Sequence, residues 1–373
     1  MRVVVIGAGI MGAAVAAGLT RRGAQVTVLE ERFAGAGTTG TSFGWVSANH
    51  PDSEAYFTLT HAAVHAHHAL GSDAFVPTGH LVWATGRTAL EDLNRRVDWL
   101  ASRDYAVERV TAERATELEP GLTPRPEGTD YALFPEEAHV YPARLLGRLL
   151  AEARAGGAEV ETGVAVREIR SGPAGANVVL ADGGVRTTDF VVSCTGRWTG
   201  LLLDVAMLDP RMPGADTGGF LATTTPVPAP LSRVLSTDRL SVRPDGGGRL
   251  LLRAPDLDVS ADPALPASHR VGAELLARLP ELLTGTDGAH LENIRVAQHA
   301  APVHRRTAAG FVDDAGRVYA VITRDGITLA PLLADLVAGE LHGAESALLG
   351  PFRPGRPGAD LLAFPSGTPI GPL

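Results

Sequence analysis

Apolar positions along this chain switch between two periods, and the switches mark its first elements. After Arg2 comes a short β-branched run, Val3-Val4-Val5-Ile6, which predicts a buried strand over 2–6. The run ends on Gly7-Ala8-Gly9-Ile10-Met11-Gly12. Small and apolar residues then predict a helix as far as Arg22, which Gly23 stops, and residues 25–29 predict a second strand ending on Glu30. In such a strand–turn–helix–strand unit Gly7 permits the tight turn and Gly9 lets backbone approach a pyrophosphate. Gly12 lets the helix pack close to the sheet. Phosphates would sit on the unpaired N–H groups at the positive end of the helix. Glu30, 18 residues after Gly12, can accept from ribose hydroxyls, so the expected ligand is FAD or NAD rather than NADP.

Further along, apolar periodicity predicts helices over 54–70, 89–102, 111–118 and from Tyr141-Pro142 to 155. Strands are predicted over 79–85, 159–162, 164–169, 177–180 and 190–192. The last of these delivers Ser193-Cys194-Thr195-Gly196 to a turn, a second place for close backbone approach. Residues 220–225, 239–242 and 249–253 form a strand-rich block broken by Pro/Gly turns, followed by a helix over 268–278. A strand over 318–322 and a helix over 327–341 close the pattern, with Pro331 placed early enough for its missing N–H to be harmless. Motifs able to share one ligand thus fall in three separated segments around a β-rich insert.

The 373 residues suffice for two domains. A net charge of −9 gives no footprint for nucleic acid or an anionic membrane, and no apolar run is long enough to span a bilayer, so a cytoplasmic protein is expected. The single cysteine, Cys194, excludes intrachain disulfides and thiolate metal clusters. All 33 basic residues are Arg, which removes any P-loop, Schiff-base or general-base lysine. His61, His65 and His68 share one helical face, but no carboxylate or thiolate cluster accompanies them in sequence, so no metal is expected.

The interleaving and its motifs resemble the FAD-dependent D-amino acid oxidase, glycine oxidase and sarcosine oxidase superfamily. The residues that carry the likeness are Gly7 to Gly12, Glu30, the Gly37-Thr38-Thr39-Gly40-Thr41-Ser42-Phe43-Gly44-Trp45 loop and Tyr141 to Leu145. They continue with Val191 to Trp198 and Gly326 to Pro331. The resemblance implies an α/β fold: a Rossmann-like FAD-binding domain interleaved with an α+β substrate domain built on an antiparallel sheet. The expected division is 1–80, 137–212 and 302–352 for FAD, 81–136 and 213–301 for substrate, and a Pro/Gly-rich tail over 353–373. It also implies non-covalent FAD held by Gly7, Gly9, Ile10, Met11, Gly12, Glu30, Glu31 and Arg32, by Thr38, Thr39, Thr41 and Ser42, and by Val166, Thr195, Gly196 and Trp198. Asp325, Gly326, Ile327 and Thr328 would meet the flavin edge, where a helix start favours the negative charge of reduced flavin.

The expected chemistry is hydride removal from a carbon bearing nitrogen in an amine or modified amino acid, giving an imine, with O2 or another compound as electron acceptor. Trp45, His50 and Arg324 are the candidate catalytic residues. Trp45, Asn49, Arg243 and Arg253 are the candidates for substrate contact. Relatives usually clamp a substrate carboxylate with an Arg where this chain has Ala301, so the clamp would come from Arg243, Arg253, Arg305, Arg306 or Arg324. That departure points to a specialised biosynthetic substrate. The other readings are an NADPH-dependent flavin monooxygenase and a flavin-binding subunit with altered catalysis.

Overall fold

The short β-branched runs become the centre of a six-stranded sheet, because strands covered on both faces need apolar residues at every position. In the computed structural model, which describes residues 1–51, 53–84, 86–125, 129–203, 218–261, 269–300, 302 and 307–354, this sheet begins with β1 (Arg2–Ile6) and β2 (Gln25–Glu30). Its spatial order is Thr307–Phe311, Val318–Thr323, Phe190–Ser193, β1, β2, Glu159–Thr162. Five of these strands run parallel and the Thr307–Phe311 edge is antiparallel. The register pairs Ile6 with Ser193 and Ser193 with Ala320, so the carboxyl ends of three neighbouring strands reach one edge together.

The helices among the described residues are α1 (Ile10–Arg21), α2 (Glu54–Leu70), α3 (Arg87–Ala101), α4 (Ala112–Leu118), α5 (Pro142–Ala155), α6 (Thr199–Leu202), α7 (His269–Arg278) and α8 (Gly326–Leu341). Helix α1 packs between α5 and α8 over the sheet. A Cβ on Gly18 of α1 would stand 2.6 Å from the Ala334 carbonyl oxygen of α8, so that contact requires a glycine. A three-stranded meander, Val166–Gly172, Gly175–Leu180 and Val185–Thr188, covers the opposite face, where Val178 and Leu180 cluster with Val4, Ile6 and Leu29.

A second, eight-stranded sheet draws on the 80–134 and 218–298 segments and encloses a core of its own around Trp83, Leu235 and Leu252. The α/β expectation holds, with one refinement. This sheet is antiparallel except where Val234–Ser236 pairs in parallel with His80–Trp83, the seam at which its two chain segments join. No helix among the described residues is long and apolar enough to cross a membrane.

Element boundaries follow the periodicity to within a few residues. Thr111 is the N-cap of α4, its side chain accepting from the Arg114 N–H, rather than its first helical residue. The strands Tyr131–Phe134, Ala138–Val140, Leu291–Gln298 and Thr307–Phe311 were not expected. Ala301, Arg305 and Arg306, the first residue of the 268–278 helix and the tail from 355 onward lie outside the described residues.

The expectation for Pro331 is overturned. The Leu329 N–H already bonds the Asp325 carbonyl, so the regular ladder has begun and Pro331 should have bonded Ile327. That vacant carbonyl accepts from Nε2 of the buried His67 instead, at 2.9 Å. His67→Leu is therefore expected to cost about 1–3 kcal/mol, the penalty for an unpaired buried carbonyl. Adding Pro331→Ala should restore much of the loss by returning the N–H. Urea unfolding of both variants checks this, and a double variant no more stable than the single one would disprove it. Burial lowers His67 to about 4 against its ordinary 6.5. The folded state then binds fewer protons than the unfolded one between those values. The stability His67 contributes is complete above pH 6.5 and drains away as pH falls towards 4.

Candidate active site

The glycine turn after β1 is closed from two sides. Gly7 has φ of +98°, and a Cβ there would lie 2.8 Å from the Cys194 carbonyl oxygen. A Cβ on Gly12 would lie 1.9 Å from the Gly7 oxygen. Gly9 is the N-cap of α1 and has no side chain to cap it, so the first N–H groups of the helix point out of it. Thr39 Oγ1 takes up one of them, the Ile10 N–H, at 2.9 Å. The Glu30 carboxylate accepts from the Ala8 and Arg32 N–H groups, each at 2.9 Å, which fixes it at the end of β2.

A single cavity of about 650 Å³ starts at this turn and runs to the eight-stranded sheet. Of the residues expected at a cofactor, Gly7, Gly9, Ile10, Met11, Glu30, Glu31, Arg32, Thr38, Thr39 and Ser42 line it. So do Val166, Thr195, Gly196, Trp198, Asp325, Gly326, Ile327 and Thr328. Gly12 and Thr41 stand behind the wall. Gly12 permits the close packing just described, and the Thr41 hydroxyl bonds the Thr38 carbonyl. Trp198 closes one side, with Arg32 and Arg197 over its ring at 5.5 and 5.2 Å. The Thr38 hydroxyl donates to the Gln298 carbonyl, tying the Gly/Thr loop to the second sheet.

The α8 start is anchored on the same loop. Thr328 Oγ1 donates to the Trp45 carbonyl at 3.1 Å, so the N–H end of α8 and the Trp45 ring face one space. At this end the lining residues include Trp45, His50, Tyr56, Arg253, His299, Arg324 and Asp325. Tyr56 donates its hydroxyl to Asp325. Arg253 meets Asp258 at 3.3 Å, both nearly buried, and Asp258 also accepts from the Phe220 N–H at 2.8 Å. Burial pushes the Asp258 carboxyl up, against the pull of Arg253 and Arg324. Burial, with the Arg253 and Arg324 cations alongside, pushes His299 down to about 3, so it stands neutral near those charges. The chamber therefore holds two guanidiniums and the Asp325 carboxylate, with the Asp258 carboxylate paired to Arg253.

Three expected substrate-side residues play other parts here. Asn49 is fully buried behind the cavity, giving its Nδ2 hydrogens to Glu137 at 2.7 Å and toward His80 at 3.0 Å. Arg243 is buried away from the large cavity and bonds the Phe43 carbonyl and Asp245. His50 does reach the cavity, but Arg96 Nη1 lies 2.8 Å from its Nδ1. A guanidinium only donates, so that nitrogen is an acceptor already engaged and not a free base. Glu137 supports this wall from behind, accepting also from the Ala48 and Asn49 N–H groups and the Tyr105 hydroxyl. His80 stacks edge-on to Trp45 at 4.5 Å.

Sequence reasoning missed Tyr56, Asp258 and His299. Tyr56 had a signal in Ser53, the N-cap of α2, which places it on the first turn. His299 follows Leu291–Gln298, a strand whose mixed polarity hid it.

The donor set fits FAD: a glycine turn that a Cβ would fill, outward N–H groups, a fixed acid at the ribose position, and a second helix start at the far end. Comparison with known proteins agrees. The family model described as FAD dependent oxidoreductase matches residues 2–340. The glycine oxidase of Geobacillus kaustophilus is 26% identical over 385 residues, covering 94% of this chain and 95% of that protein. Its crystal structure superposes with a TM-score of 0.82 at 21% identity, covering 95% of this chain and 99% of that one. L-Proline dehydrogenase from P. horikoshii superposes at 0.80 with 18% identity, covering 95% and 96%.

Proposed function

Because this chain belongs to the FAD dependent oxidoreductase family, we propose that it removes hydride from a carbon next to nitrogen in an amine or modified amino acid, giving an imine. The single observation that supports this reading most is the continuous cavity from the Gly7–Glu30 turn to the Arg253–Arg324 chamber. Bound FAD supplies the two-electron acceptor. The expected cofactor residues that line the cavity would hold it, and the N–H groups opening α8 favour negative charge at that end. The division of the chain into FAD and substrate segments given above belongs to this reading.

The protein's own task is then orientation and exclusion of water. Trp45, steadied by His80, gives a flat apolar wall. Arg253 and Arg324 present cationic groups to an anionic part of the substrate, and Asp325, fixed by Tyr56, presents an acceptor to a nitrogen-bound hydrogen. Neutral His299 adds no charge to repel a substrate. Glycine oxidase and L-proline dehydrogenase, the named relatives, differ in whether their names imply oxygen or another acceptor. The absence of lysine removes one oxygen-activating group from this chain.

The purified protein is expected to be yellow, and an amine in a panel of glycine, N-methylated amino acids and cyclic imino acids should bleach it without air. Return of the colour on admitting air identifies an oxidase, and return only with an artificial acceptor identifies a dehydrogenase. A colourless protein that takes up no FAD on reconstitution defeats the reading. Turnover that requires NADPH would point to a monooxygenase instead, and bleaching by no amine to a flavin-binding subunit.

A further inference from the structure

Outside the cavity, the fold supplies the histidine row of α2 with the carboxylate that its own stretch of sequence lacks. His61 and His65 stand one turn apart on the same face, their Nε2 atoms 3.0 Å from each other. Glu136, in the turn between Tyr131–Phe134 and Ala138–Val140, closes the group. One ligand atom from each of the three side chains lies within 4.8 Å of the others. We propose that His61, His65 and Glu136 bind a divalent transition metal ion of the zinc class, which ties α2 to this turn.

Two features make the third ligand pre-positioned. His68, the next histidine of the row, bonds the Glu136 carbonyl through Nε2 at 2.9 Å. The neighbouring Glu137 is buried and held by the Ala48 and Asn49 N–H groups and the Tyr105 hydroxyl. The turn is thus held at the ligand residue itself and at the residue after it. His61 is steadied by Phe57, stacked at 5.3 Å, and by the edge of Tyr105 at 5.1 Å.

Two imidazoles and one carboxylate suit zinc, cobalt, nickel or copper, whereas magnesium and calcium require mainly oxygen ligands. His65 is exposed, so solvent can fill the remaining coordination position. None of the three residues lines the large cavity, and the ion would act as a brace rather than in the oxidation. The helix it would brace carries Tyr56, which meets Asp325, and His67, which completes the start of α8.

The test uses full-length, tag-free, FAD-loaded protein stripped with a chelator and titrated with Zn²⁺, with Co²⁺ as the visible probe beyond the flavin bands. We expect one equivalent to bind, a rise in Tm, and a cobalt spectrum of low-coordinate type. His65→Ala, at an exposed position, should weaken binding roughly tenfold or more, as should Glu136→Gln. Excess Mg²⁺ should not compete. Binding of equal stoichiometry and affinity in wild type and His65→Ala would overturn the proposal, as would a cobalt spectrum identical to the aqueous ion. Both readouts are independent of amine oxidation, so their failure leaves the functional reading untouched.

Discussion

Gly12→Ala is expected to yield protein that no longer retains FAD. The added methyl would stand 1.9 Å from the Gly7 carbonyl oxygen, a backbone atom. Gly7 cannot retreat, since it already sits in left-handed backbone with the Cys194 carbonyl behind it. The turn must open, and the phosphate contacts at the start of α1 are lost with it. Two such contacts at about 1.5 kcal/mol each correspond to roughly a hundredfold weaker binding. Flavin content after gel filtration measures this directly, and a wild-type ratio in Gly12→Ala would refute the assignment of the turn. Two further alanines grade the effect. At Gly9 the new Cβ meets only the Thr39 hydroxyl, at 3.3 Å, so the protein should fold while holding FAD more weakly. At Gly147, mid-helix in α5 with nothing within 4 Å, alanine should leave FAD in place and add about 1 kcal/mol of stability.

Legibility in the sequence tracked how local the physics was. The dinucleotide turn is one contiguous segment whose glycines and acid are each required by nearby backbone, so it could be read residue by residue. The α8 start was legible for the same reason. The chamber was legible in part: Trp45, His50, Arg253, Arg324 and Asp325 can be named from the sequence and line it, whereas Tyr56 and His299 join it from elements that only the fold brings together. Asp258, on the Pro255–Ser260 turn that follows Leu250–Arg253, reaches back to Arg253, while His299 arrives from Leu291–Gln298, which pairs with Gly218–Thr224. Arg243 and Asn49 show the converse. Both carry suitable chemistry at plausible positions, and only the fold turns them inward onto Phe43 and Glu137. Pro331 shows that a residue tolerated for one reason can be sustained by another, since its lost bond is replaced by a histidine from a different helix. The α2 histidines lacked a carboxylate only as long as sequence distance stood in for spatial distance.

The two arginines of the chamber are expected to separate by what their loss damages. Arg253 pairs with Asp258, whose side chain is 7% exposed, so Arg253→Met leaves a buried carboxylate without its cation. Removing one partner of such a pair costs about 3–5 kcal/mol, so this variant should first lose stability. Arg324 follows Val318–Thr323 beside the α8 start and lines the same cavity. If the substrate carries a carboxylate, Arg324→Met removes charge-assisted bonds of about 1.5–3 kcal/mol each. The expected result is a fall in kcat/KM of roughly 10²–10³ for that substrate. For the matching amine without the carboxylate the fall should be small, because nothing anionic remains to be clamped. Steady-state rates on the pair of substrates decide between a clamp and a general electrostatic effect. An equal loss on both would remove Arg324 from substrate recognition and leave it as a charge tuning the flavin end of the cavity.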